Sequence, residues 1–81
     1  MSRFMKRSEY DAINDILYLK ATAEPIPSYG DEQEDGVVVM RSLDEDVVTG
    51  LTIFYPRRDT ALRELQLRKI GFPIKLQPLI K

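Results

Sequence analysis

The sequence contains no cysteine and no histidine. That double absence removes the thiolate nucleophile, the usual zinc ligands and the one side chain that titrates near neutral pH. Glycine is also sparse and scattered, at Gly30, Gly36, Gly50 and Gly71, which excludes a glycine-rich phosphate loop. No apolar run approaches the ~20 residues needed to cross a bilayer. The basic start, Arg3, Lys6 and Arg7, is not followed by the apolar stretch of a secretory signal, and a cytoplasmic location is expected.

What is present describes a thin-cored globule. Apolar residues make up 43% of the 81 and charged residues 31%, a folding composition rather than that of a disordered chain. A domain this small buries only roughly 60–65% of the surface its unfolded chain would expose. Without disulfides, tight packing or self-association must supply the rest, and a homodimer is expected. The net charge of -1 conceals an asymmetry, because Arg41 is the one basic residue between Ala21 and Tyr55, whereas Arg57, Arg58, Arg63, Arg68, Lys69, Lys75 and Lys81 follow. An acidic middle and a basic end point to attraction within a fold or dimer, or to a basic face for an acidic partner.

Asp11 and Asn14-Asp15 supply turn chemistry ahead of the strand-favouring Ile16-Leu17-Tyr18-Leu19-Lys20, and predict a first hairpin. Ala21 to Glu34, with Pro25, Pro27 and Gly30 followed by Asp31, Glu32 and Glu34, reads as one long loop. Val37 to Arg41, the turn Asp44-Glu45-Asp46 and Val47 to Tyr55 predict a second hairpin. Alternation sets Leu51, Ile53 and Tyr55 on one face, with Gly50 marking a bulge or a close backbone approach. Asp59 is placed to cap a helix that stops at Gly71 and Pro73, with Leu62, Leu65, Leu67 and Ile70 as its packing stripe. The fold class expected is α+β: a small antiparallel sheet of about four strands with one C-terminal helix packed on it. The chain reads as a single domain over 1–81, with a sheet region to 58, a helix over 59–71 and an extended tail over 72–81.

The run Glu9-Tyr10-Asp11-Ala12-Ile13-Asn14-Asp15-Ile16-Leu17-Tyr18-Leu19, then Asp35-Gly36-Val37-Val38-Val39, then Val48-Thr49-Gly50-Leu51-Thr52-Ile53-Phe54 resembles a prokaryotic family of small proteins catalogued as domain of unknown function 2283. The resemblance spans about residues 5 to 58. Thr52 stands where that family usually has an acid, and Asp44-Glu45-Asp46 lacks its frequent Asp-Gly turn, so no role of the strand acid carries over. The resemblance implies a compact antiparallel sheet, no known reaction and no site residues. For some members of the family it implies an antitoxin-like partnership with small ribonuclease-type toxins.

The acids of residues 31–35 lack the alternating spacing and distal Glu of a calcium loop, so a solvated loop is the plainer reading, and no metal or cofactor is expected. Asp11 and Asp15 could be posed as a paired acid and base, but turn roles suffice for both. Arg57, Arg58, Arg63 and Arg68 are candidate phosphate contacts near a helix start, although no aromatics are interleaved with them for base stacking. The apolar residues Leu67, Ile70, Phe72, Ile74, Leu76, Leu79 and Ile80 are the candidate partner or dimer interface, the tail from Ile74 to Ile80 docking on this chain or on a second one. The expected function is therefore a non-enzymatic protein-interaction module, antitoxin-like on the resemblance, with nucleic-acid binding by the basic helix as the alternative.

Overall fold

The computed structural model describes residues 7–80. Strands β1 (Arg7–Asp11) and β2 (Ile16–Lys20) form the first hairpin. Its turn is held by the Asp11 carboxylate, which accepts the backbone N–H groups of Ile13 and Asn14 at 3.1 Å each. Asp15 closes the turn in the left-handed region, at φ 54°, a conformation that Asp tolerates better than most residues.

The stretch expected to be one loop divides in two. Ala21 to Pro27 is the connection, and Ser28–Glu34 is a strand, β3, antiparallel to β4 (Val37–Ser42). The sheet therefore has five strands, in the order β1-β2-β5-β4-β3. β3 gives no hydrophobic alternation because it is an edge: one side of its ladder faces water, and Asp31, Glu32 and Glu34 protect it against pairing with another chain. A register shift between Glu32 and Glu34 twists it further from a flat edge.

β5 (Val48–Phe54) runs between β2 and β4. Met40 pairs with Gly50 and Arg41 with Val48, so Thr49 is the extra residue of a bulge. A Cβ at Gly50 would collide with the Leu19 carbonyl oxygen of β2. Bulge and close approach thus coincide, and glycine is required by its neighbour rather than by its dihedral angle. Tyr55 departs from the expected alternation: β5 stops at Phe54, and Tyr55 turns outward at φ 56°.

Leu17, Leu19, Val37, Val39, Leu51 and Ile53 all project to one face of the sheet and are buried there. Helix α1 (Thr60–Lys69) lies over β4, and a short 3-10 turn at Gln77–Leu79 reaches back to β1. The helix's packing stripe differs from the expected one. At about 100° per residue, Leu65 and Leu67 stand roughly 200° apart, so one face cannot hold both. The face that docks carries Arg63, Gln66, Leu67 and Ile70, while Leu62 and Leu65 point outward. Asp59 sits at the N-cap position without capping by its side chain.

The tail folds onto its own chain. Leu76 is fully buried and Ile80 nearly so, with Phe72, Ile74 and Leu79 packed against the same core. The Glu64 carboxylate accepts the Leu76 N–H at 2.8 Å, and Arg57 Nη2 donates to the Ile80 carbonyl at 2.5 Å. Of the two ways to bury the tail, on this chain or on a second one, the structure shows the first.

Candidate functional site: the open sheet face

With helix and tail both on one side, the other face of the sheet is covered by no helix among the described residues. Register places Glu9, Tyr18, Thr52, Val38 and Glu32 in one row across it, and Arg7, Lys20, Gly50, Met40 and Gly30 in the next. Ile16 and Phe54 form the start of a third row. Tyr18 is exposed, and Ile16, Val38, Met40, Thr52 and Phe54 are each partly so. The centre of this face is therefore apolar, and charges sit at its margins.

A groove of about 340 Å³ opens on this face where the Ala21 to Pro27 connection folds beside it. Its floor includes Gly50, Met40, Thr52 and Tyr18, and its walls include Arg7, Lys20, Pro25 and Ile26. Glycine matters here twice over, because the residue that lets β2 approach β5 also leaves the floor without a side chain. The wall is braced by local bonds. Thr22 Oγ1 donates to the Glu24 carbonyl at 2.8 Å, and the hydroxyls of Ser28 and Thr49 share a bond of 2.8 Å. Leu43 N donates to the Pro27 carbonyl at 3.1 Å. At the mouth, Glu9 lies 3.2 Å from Lys20 Nζ and 3.9 Å from an Arg7 nitrogen. Glu24 lines the groove as well, so the two cations are matched by two carboxylates. The groove can therefore take an apolar side chain, with charges of both signs at its rim.

The residues singled out in the sequence fall elsewhere. Arg63 is 4% exposed; its Nε donates to the Phe54 carbonyl at 2.6 Å and its Nη1 to Gln66 Oε1 at 3.0 Å. It is a buried brace and is withdrawn from the phosphate-contact set. Gly36, at φ 89°, is where its guanidinium lies, and a Cβ there would collide with it. Gln66 Nε2 completes the brace by donating to the Asp35 carbonyl at 3.0 Å. Arg57 stands 5.2 Å from the Tyr10 ring centre, and Arg58 4.0 Å from that of Tyr55. Arg68 remains exposed on α1. The structure does not bring these four arginines into one anion site.

Asp15 is the residue whose role the sequence least discloses. Its carboxylate accepts the Tyr10 hydroxyl at 2.7 Å and the backbone N–H groups of Arg57 and Arg58 at 3.1 Å each. It thereby ties the first hairpin to the segment before α1. Desolvation raises its pKa, but the hydrogen bonds from Tyr10, Arg57 and Arg58 outweigh this and hold it below the usual carboxylate value. The bond to Asp15 in turn raises the Tyr10 hydroxyl. Asp11 is lowered chiefly by the hydrogen bond from the Asn14 side chain. Both carboxylates serve turns and joints. The acids of residues 31–35 separate along the strand, Asp31 pairing with Arg41 at 3.3 Å and Glu34 with Lys69 at 3.5 Å. Among the described residues no group of three carboxylates converges as a metal site would require, and no helix is long and apolar enough to cross a membrane.

The chain matches no family model. No curated protein and no solved structure matches it either.

Proposed function

We propose that this chain is a non-enzymatic protein-interaction module that receives an apolar segment of a partner protein on the open face of its sheet. On the family resemblance, the partner's class is a small toxin and this chain is its antitoxin-like counterpart. The observation that carries the reading is the partly exposed apolar centre of that face, Ile16, Tyr18, Val38, Met40 and Phe54, beside a groove with charges of both signs at its rim. Extended apolar faces on monomeric proteins mark interaction surfaces more often than they are left bare.

Magnitude sets the extent of the contact. Strands about 4.8 Å apart and about 17 Å long give a five-strand face of roughly 400 Å² in projection. A stable interface takes roughly 800 Å² from each partner. A partner bound here therefore also engages the Ala21 to Pro27 connection, whose Ile26 is exposed beside the groove.

The test compares tagged wild-type protein with a Tyr18→Glu, Met40→Glu double variant in capture from lysate of the source organism, run with and without nuclease. Circular dichroism first establishes that both fold alike. A protein held in stoichiometric amount by the wild type and lost by the variant is the expected result. Equal retention by the variant removes the open face from the proposal. Capture that disappears with nuclease treatment moves the function to nucleic acid.

A further inference from the structure

We propose that the outward face of α1 receives the β4–β5 turn of a second copy of this chain. On that face Leu62 and Leu65 are 48% and 55% exposed, three residues apart and so adjacent on the helix surface. Arg58 stands one turn before them, its guanidinium 4.0 Å from the exposed Tyr55 ring. Arg68 and Lys69 follow them, both exposed. The face is an apolar pair between cations.

The β4–β5 turn is the converse. Leu43 and Val47, 64% and 52% exposed, flank Asp44, Glu45 and Asp46. The turn is built rigidly enough to present them. Ser42 Oγ accepts the N–H groups of Glu45 and Val47 at 3.2 Å each, Asp46 N donates to the Ser42 carbonyl at 3.1 Å, and the Tyr29 hydroxyl donates to Asp46. Two exposed apolar residues at the base of an acidic turn thus face a surface of two exposed apolar residues with cations on either side.

The two surfaces of one chain cannot meet. Arg63 fixes α1 beside Gly36, just before β4 begins, whereas the turn follows Ser42 at its far end. Six residues of strand at about 3.3 Å each separate those ends by roughly 20 Å. A second copy supplies what the first cannot reach. The nearby acids answer Arg58 and Lys69 and leave Arg68 as the excess positive charge of the helix face. Asp59 bonds Arg58 at 3.0 Å and Glu34 bonds Lys69 at 3.5 Å, while Glu64 is turned to the tail; Arg68 adds a further exposed cation. Around the turn, Arg41 stands against Asp31 and the three consecutive acids. Burying the two apolar pairs brings these opposite excesses together, the arrangement that favours a defined orientation. Each copy carries one donor turn and one acceptor face.

Sedimentation velocity decides the matter with three proteins: the wild type, a helix variant (Leu62→Glu, Leu65→Glu) and a turn variant (Leu43→Lys, Glu45→Lys). All substituted residues are exposed, and circular dichroism verifies that each variant folds. The wild type is expected to self-associate, with an association constant that falls about tenfold or more between about 50 mM and 500 mM salt. Each variant alone is expected to be monomeric. Their equimolar mixture should regain a one-to-one dimer, because an intact turn then meets an intact helix face. A wild type monomeric at about 1 mM, a variant that associates as the wild type does, or a mixture that stays monomeric would each overturn the proposal. The Tyr18→Glu, Met40→Glu variant keeps self-association if the surfaces are as assigned. If it alone abolishes association, the self-contact lies on the open sheet face instead.

Discussion

At the scale of single residues, the joint at Asp15 governs how stability responds to pH. Its folded-state pKa lies below its unfolded value, near about 3.9. The stability from its three bonds is therefore complete above that unfolded value and is lost as pH falls through the lower folded one. The Tyr10 hydroxyl is raised, so its side of the same bond holds below its unfolded pKa of about 10 and fails as pH climbs through the higher folded value. The chain has no histidine, the side chain whose ordinary pKa lies midway between these limbs. The unfolding free energy of Asp15→Asn from urea titration should fall by roughly 1–2 kcal/mol across the plateau, discounted for partial exposure. The variant should also show a shallower loss toward acid. Coincident wild-type and variant profiles would mean that the joint is ornamental. Asp11 was readable from sequence because its partners lie two and three residues away. The backbone partners of Asp15 lie 42 and 43 residues away, and no local pattern reports them.

At the scale of elements, α1 is held as much by polar contacts to backbone as by apolar packing. Arg63 and Gln66 reach the carbonyls of Phe54 and Asp35, tying the helix to the end of β5 and to the β3–β4 turn. Removing the buried Arg63 strands the Phe54 carbonyl and Gln66 Oε1. Arg63→Ala is expected to destabilise by about 2–4 kcal/mol and Arg68→Ala by less than about 0.5, as denaturant midpoints will show. Equal effects would mean that the brace does nothing. Composition supports the helix itself, from Thr60 to Lys69, through its cations in the last turn and Gly71 beyond. Its orientation is hidden, because the four apolar residues occupy nearly opposite sides and an arginine takes the inner one. β3 is hidden for a related reason: hydrophobic periodicity marks buried faces, and an edge strand with acidic side chains has little of either.

At the scale of the whole molecule, the tail is structural. Ending the chain at Pro73 removes Leu76 and Ile80 from the core. Losing one fully buried leucine alone costs about 2–5 kcal/mol, against a total stability of about 5–15 kcal/mol for a domain. The truncated protein is expected to lose its cooperative thermal transition. A truncated form that melts like the full chain would place the tail outside the core. The α+β class and both hairpins were legible because turn residues and β-branched runs are local signals. Which face stayed open was not, since that depends on where the tail returns. The strand order adds a consequence of another kind. β3, β4 and β5 follow one another as a meander, and the first hairpin joins them along a single seam, β2 against β5. The Ala21 to Pro27 connection crosses from one unit to the other, so the sheet is in effect two pieces sewn at one edge. A chain cut there yields a hairpin and a remainder with matching halves of a core, the raw material for a split protein whose parts find each other again.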